Sequence, residues 1–315
     1  MTLPMGRPMR DVFGETVTAL ADDDPRIVML DADLGSSTKG DIFENAHPER
    51  YLQMGIAEQN MLGVAAGLAV TGLVPFISTF VSFAVVRPLD QIRVLIGQPH
   101  LNVKITPGYA GLFTGMAGKT HQVVDDVSIM RTIPGMVTIA PADDIEAAQA
   151  LRWAAAYDGP VYIRLVRDAT ARLFGPDHRF AMGSAIRVRE GRDVALVSTG
   201  TQTPRTVEAA DLLAADGIDA LVLHVPTVKP LDVEALAGAA ERAGIVITVE
   251  EHSILGGLGS AVAEALSERR PSRVHRIGLQ DVYGESASND ALLDKYGLSP
   301  ARVAEQVRRY LAGPD

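Results

Sequence analysis

The chain has 315 residues, with 29 Lys and Arg against 39 Asp and Glu, and a formal net charge of −10. An acidic chain of this kind repels phosphate backbones, which argues against nucleic acid as a partner. The absence of cysteine excludes disulfides, thiolate-ligated metal clusters and cysteine nucleophiles together.

Hydrophobic residues make up 47% of the chain, and the length exceeds what one core normally holds, so two domains are expected. The opening residues MTLPMGRPMRD lack the apolar core of a secretion signal. No run reaches the roughly 18 apolar residues of a membrane span. The expectation is a cytoplasmic protein without a membrane partner. In chain order, residues 10–21 carry helical spacing and "RIVMLDAD" (26–33) reads as a buried strand. Helical spacing returns at 58–71, 82–96 and 143–157. The runs "VPFISTF" (74–80), "LNVKIT" (101–106), "MVTIA" (136–140) and "VYIRLV" (161–166) read as further strands. This alternation predicts a doubly wound α/β domain with a mainly parallel sheet over 1–170. Asp143 and Glu146 have capping-box spacing at the start of an alanine-rich helix. Residues 171–192 mix charge with glycine and proline and read as a linker. The rhythm then restarts over 193–315. Strands are expected at 193–200, 218–225 and 244–251, and helices at 203–216, 232–243, 257–268 and 300–312. That makes a second α/β domain.

The segment "YLQMGIAEQNMLGVAAGLAVTG" (51–72) places Glu58 at the start of an apolar helix. A carboxylate there complements the helix dipole, and at an arbitrary helix that is its usual whole purpose. Phe80 and Phe83 lie three apart, which fits core packing as well as a ring-binding wall. Asp33 follows the first strand at its carboxyl end, where open α/β sheets bind ligands, and it reads equally well as a loop cap.

Context shifts these readings. "GIAEQNMLGVAAGLA" resembles the signature of the pyrimidine-binding domain of transketolases. "STFVSFAVVRPLDQIR", "GKTHQVVDDVSIMRTIPGMVTIAPAD" and "GPVYIRLVRD" follow in the family's order and spacing. "VEEHSILGGLGSAVAEAL" and "GESASNDALLDKYGLSP" are similar to transketolase C-terminal domains. The resemblance runs from about residue 7 to 311. It implies a thiamine-diphosphate enzyme that transfers a two-carbon ketol unit from a ketose to an aldose. Glu58 matches the glutamate that hydrogen-bonds the aminopyrimidine and so helps the cofactor lose its thiazolium proton. Ile56, Phe80, Phe83 and Asp33 match cofactor contacts, the second Phe stacking on the pyrimidine. His121 matches a histidine at the hydroxyl or carbonyl end of the substrate. Ser37, Tyr109 and Arg164 fall at substrate positions, with Arg164 expected to grip a terminal phosphate. Arg167 and Arg10 are weaker candidates for the same group.

The chain departs from the family in the loop that usually reads Asp-Gly-Pro-Thr-His. Here it is "AGKTH", with Ala117 in place of an aspartate and Lys119 in place of a proline. A lost acceptor and a gained cation imply an altered sugar-phosphate preference. The Gly-Asp-Gly motif that holds diphosphate and Mg2+ in the family occurs nowhere in the sequence. The resemblance therefore implies an N-terminal partner subunit carrying that motif, and an α2β2 heterotetramer. A 2-oxoacid dehydrogenase beta subunit has the same two domains, and deoxyxylulose-phosphate synthase carries them in one longer chain. "GIAEQNM" and "GESASNDALLDKYGL" favour transketolase. Retention of Glu58, Phe83 and His121 argues against a non-catalytic subunit.

Overall fold

The computed structural model describes residues 3–313. The near-continuous apolar runs become parallel strands covered on both faces, where no polar alternation is needed. The first sheet reads, edge to edge, Thr227–Lys229, Val137–Ile139, Val161–Ile163, Lys104–Ile105, Val74–Ser78, Ile27–Asp31 and Tyr51–Gln53. Every pairing is parallel except that of Thr227–Lys229 with Val137–Ile139. The second sheet reads Arg273–Leu279, Ile245–Ser253, Val194–Ser198, Ala220–His224 and Ile186–Arg189, with only the last antiparallel. The fold is α/β with two doubly wound units. The first core holds buried side chains such as Phe13, Phe43, Phe76 and Tyr162, and the second Leu196, Val222 and Ile247.

Helices Met9–Asp23, Glu58–Val70 and Asp144–Ala156 flank the first sheet close to their expected positions. The expected helix over 82–96 is broken instead. Wide π-type turns at Ser82–Val86 and Ile92–Gly97 flank a short piece at Leu89–Gln91. Pro88 explains this, since it has no N–H to give to the preceding turn. The stretch read as a linker contains one short strand, Ile186–Arg189, which adds an edge to the second sheet, and just at its start Ala169–Ala171 pairs with Met5–Pro8.

Thr227–Lys229 belongs to the second half of the chain yet closes the edge of the first sheet, so the two halves share hydrogen bonds. A buried polar node lies beside this junction. Asp143 caps its helix by accepting from the Glu146 N–H (2.9 Å). Glu146 reaches back to the Ala142 N–H (2.7 Å), one residue earlier than a capping box requires. The same carboxylate lies 2.8 Å from His224 Nε2 and 3.3 Å from His178 Nε2. Burial pushes Glu146 up, but His224 and the hydrogen bonds from His178, His224 and Ala142 outweigh it and hold Glu146 at about 2.

Candidate active site

The carboxyl ends of the parallel strands gather the candidate residues on one edge, the side on which open α/β sheets bind ligands. Asp31 ends its strand fully buried and organises the loop that follows. Its Oδ1 accepts from the N–H groups of Leu34 (2.8 Å) and Gly35 (3.1 Å) and from Gln53 Nε2 (3.1 Å). Burial pushes the Asp31 carboxyl upward, against those hydrogen bonds. Asp33 is exposed, with a left-handed backbone (φ 62°), and its N–H donates to Gln53 Oε1 (2.9 Å). The loop-shaping carboxylate is therefore Asp31, two residues before the expected one.

Glu58 opens the helix Glu58–Val70 and its side chain is only 3% exposed. Both carboxylate oxygens accept from Arg87 Nη1, at 2.8 and 2.9 Å. Arg87 itself is 47% exposed, and its guanidinium lies 4.3 Å from the centre of the Phe83 ring. One half-exposed arginine thus covers both the carboxylate and the aromatic face beside it. Ile56, just before the helix, is 75% exposed.

An aromatic row leads away from this point. Phe83 and Phe80 have ring centres 5.9 Å apart, and Phe80 stacks on Tyr109 at 3.8 Å. His121 meets the row edge-on, 5.6 Å from Phe83 and 6.1 Å from Phe80. Its Nδ1 lies 2.9 Å from Thr120 Oγ1, which orients the ring. Tyr109 is held at φ 66°, a costly conformation for a large side chain and one that gathers at functional sites. Two cations meet its hydroxyl. Arg167 Nε donates to it at 3.2 Å, and Arg10 Nη1 lies at 3.5 Å. The Ser37 carbonyl accepts from Arg10 and from the Tyr109 hydroxyl, each at 3.4 Å. The row therefore runs from a carboxylate at one end to two arginines at the other.

Arg164 does not join them. Its guanidinium is 6% exposed, pairs with Asp126 at 2.8 Å and donates to the Glu251 carbonyl at 3.0 Å. Burial alone would lower its pKa, but Asp126 and Glu251 hold it well above the usual value. The charge of Arg164 is thus matched from within the fold, and the guanidinium that reaches the Tyr109 hydroxyl is that of Arg167. Lys119 and Ala117 are exposed near His121, and Lys119 has no ion-pair partner among the described residues. Sequence reasoning missed Arg87 and Asp31. Arg87 lies 29 residues from Glu58 and meets it only in the folded chain, which no local spacing reveals. Asp31 was visible as a polar end to an apolar run. Among the described residues, no group of three His, Asp or Glu side chains could hold a metal ion, and no helix is long and apolar enough to cross a membrane.

Comparison with known proteins bears on this arrangement. Residues 6–172 match the transketolase pyrimidine-binding domain and residues 183–303 the transketolase C-terminal domain. The chain is 41% identical over 295 residues to the 6-deoxy-6-sulfo-D-fructose transketolase subunit SqwH of Clostridium sp. (strain MSTE9), covering 94% of this chain and 92% of that one. It is 35% identical over 304 residues to an apulose-4-phosphate transketolase subunit of Phocaeicola vulgatus, covering 96% and 97%. A solved structure described as a split gene transketolase, inactive beta4 tetramer, superposes with a TM-score of 0.89 at 45% identity over 98% of this chain and 99% of that chain.

Proposed function

Since the chain belongs to the transketolase family, with its pyrimidine-binding and C-terminal domains, we propose that it is the C-terminal subunit of a split ketol-transferring enzyme. The donor would be a ketose with an anionic terminus. The residues present fit the aminopyrimidine half of thiamine diphosphate. A nearly buried carboxylate lies beside an aromatic face, and both are covered by a side chain that is half exposed to solvent. When bound, that cofactor supplies the electron sink for carbon–carbon cleavage.

In this reading Glu58 shares a proton with a ring nitrogen of the heterocycle, once Arg87 has withdrawn from its oxygens. Phe83 offers the ring face and Phe80 backs it. Ile56 and the loop of Asp33 border the cofactor. His121, oriented by Thr120, hydrogen-bonds the hydroxyl or carbonyl end of the substrate. Arg167 and Arg10 hold the far anionic group, with Tyr109 and Ser37 fixing their directions. Planar guanidinium groups suit a phosphate or a sulfonate equally. That matches relatives named for a sulfonated ketose and for a ketose phosphate. Lys119 stands free to meet a further anionic or hydroxyl group.

Diphosphate and Mg2+ fall to an N-terminal partner, since no Gly-Asp-Gly occurs here. An apolar face next to Glu58 supports such a partner. Ile56, two residues before Glu58, and Val86, next to Arg87, are 75% and 50% exposed and offer apolar surface that a partner would cover. The relative described as inactive with four beta chains is consistent with a requirement for that partner, and two copies of each subunit would form the heterotetramer.

The observation that carries the proposal is Glu58, buried at the sheet's carboxyl edge and hydrogen-bonded, among the described residues, to the half-exposed Arg87. The test is co-expression with the partner and a screen of ketose phosphates and 6-deoxy-6-sulfofructose. Turnover should require thiamine diphosphate and both chains, and Glu58→Ala should abolish it. Near-wild-type turnover by that variant would sink the proposal.

A further inference from the structure

The loop that carries Tyr109, Lys119 and His121 has no regular structure beyond a short turn at Gly115–Ala117. Its own domain holds it through the Ala110 N–H, which donates to the Leu165 carbonyl, and the Gly111 N–H, which donates to the Val123 carbonyl, each at 3.0 Å, and the C-terminal domain adds further holds. The Leu112 N–H donates to Glu251 Oε1 at 2.5 Å, and Thr201 Oγ1 reaches the other oxygen of that carboxylate at 3.3 Å. Glu251 is buried and sits next to Arg164, which grips its carbonyl. Gln122, the neighbour of His121, donates to the Glu285 carbonyl at 3.0 Å. Asn289 Nδ2 donates to Asp168 Oδ2 at 2.9 Å, and Asp168 lies 3.5 Å from the guanidinium of Arg167. Two glycines record how closely the pieces meet. A Cβ on Gly111 (φ 67°) would collide with the Glu251 carboxylate, and one on Gly115 (φ 46°) would lie 2.6 Å from Asn289 Oδ1.

Resting on the functional reading above, we propose that Glu251 and Asn289 are positioning residues for the substrate. Glu251 fixes the loop backbone between Tyr109 and His121, and Asn289 fixes Arg167 through Asp168. The C-terminal domain is then the seat that sets substrate geometry, and the segment "GESASN" (284–289) acquires a purpose that packing alone does not give it. A loop held mainly by short-range turn bonds opens easily unless something rigid seats it, and small misplacements of reacting groups are costly in rate.

Two measurements test this. In the complex with the partner subunit, Asn289→Ala should raise the KM for fructose 6-phosphate about tenfold with kcat changed less than about twofold. Its KM for erythrulose, a ketose with no charged terminus, should not change. In the full-length chain alone, Glu251→Ala should speed amide hydrogen exchange across residues 109–122 about tenfold, and strands Val74–Ser78 and Val194–Ser198 should keep their protection. Glu251→Gln, which retains an acceptor oxygen, should recover most of the loop's protection. Equal losses on both donors, loop exchange no faster than wild type, or loss of protection throughout the chain would each overturn the proposal. If Glu251→Ala fails to fold, the half-buried Asn289 decides through its KM. If the wild-type complex shows no thiamine-diphosphate-dependent turnover, the functional reading fails, and the exchange data alone decide whether the loop is seated as described.

Discussion

Two glutamates at helix starts in the first domain behave in opposite ways. Glu146, at the seam between the domains, is enclosed by the Ala142 N–H, His224 and His178, and every partner is itself built into the fold. Glu58, at the open edge of the sheet, is almost as buried but has one partner, the half-exposed Arg87. The arginines repeat the contrast. Arg164 is locked between Asp126 and Glu251, whereas Arg167, three residues on, meets the Tyr109 hydroxyl at the site. A buried charge satisfied entirely from within is a fixture of the fold. One satisfied by a removable cap is available to a ligand. Burial by itself does not tell them apart; the exposure of the partner does.

Exchanging the roles of these pairs gives the sharpest ways to break the contrast. Glu58→Ala should lower kcat of the complex by about 10²–10⁴-fold, while its urea midpoint moves little, because the lost ion pair is half exposed. Glu146→Ala should do the reverse. Removing one member of a buried charged node costs about 3–5 kcal/mol, to be read from urea unfolding, with the surviving folded fraction still turning over. If Glu58→Ala unfolded the chain, or Glu146→Ala left stability intact, the distinction between edge and seam would be lost.

The two arginines sharpen it further. Arg164→Ala should destabilise by a similar few kcal/mol, on the same reasoning about a buried pair. Arg167→Ala should leave the unfolding midpoint in place and raise KM for anionic donors between about tenfold and a hundredfold.

The seam also has a pH signature. Glu146 is held at about 2 in the fold against an ordinary 4.5, so the unfolded chain binds more protons between those values. Its stabilising contribution is complete above about pH 4.5 and fades as pH falls toward 2. Urea midpoints of the wild type should drop across that window, and Glu146→Gln should flatten this part of the decline. A decline of unchanged steepness in the variant would assign the acid sensitivity elsewhere. The smallest effect is expected at Lys119, an exposed cation. Lys119→Pro should shift the relative kcat/KM among ketose donors by about threefold to fivefold, and an unchanged ranking would remove Lys119 from donor selection.

Much of the scaffold was legible in the sequence, because buried parallel strands write themselves as unbroken apolar runs. Ile27–Asp31, Val74–Ser78 and Val194–Ser198 fall inside segments read that way, and Met9–Asp23 and Pro300–Ala312 follow helical spacing. The short helices Gly35–Thr38 and Gly40–Ala46 were not read, since a left-handed Lys39 (φ 70°) breaks the period between them. Thr227–Lys229 is too short to carry a pattern, so its crossing to the first sheet was invisible. Phe80, Phe83, Tyr109 and His121 form one row of ring contacts, and Arg87 links Phe83 to Glu58. What the sequence could not give was direction. The strand ends at Ile163, and whether Arg164 or Arg167 then faces the edge depends on how the chain leaves the sheet. The Glu58–Arg87 pair joins a helix start to a segment 29 residues on, and these follow the two strands on either side of Ile27–Asp31.

The most direct test of Glu58 is the rate at which thiamine diphosphate, bound in the two-subunit complex, exchanges its thiazolium proton with deuterated water. If Glu58 acts on the aminopyrimidine, Glu58→Ala should slow that exchange by about 10²–10⁴-fold with cofactor still bound. Exchange as fast in the variant as in the wild type would contradict the role assigned to this carboxylate.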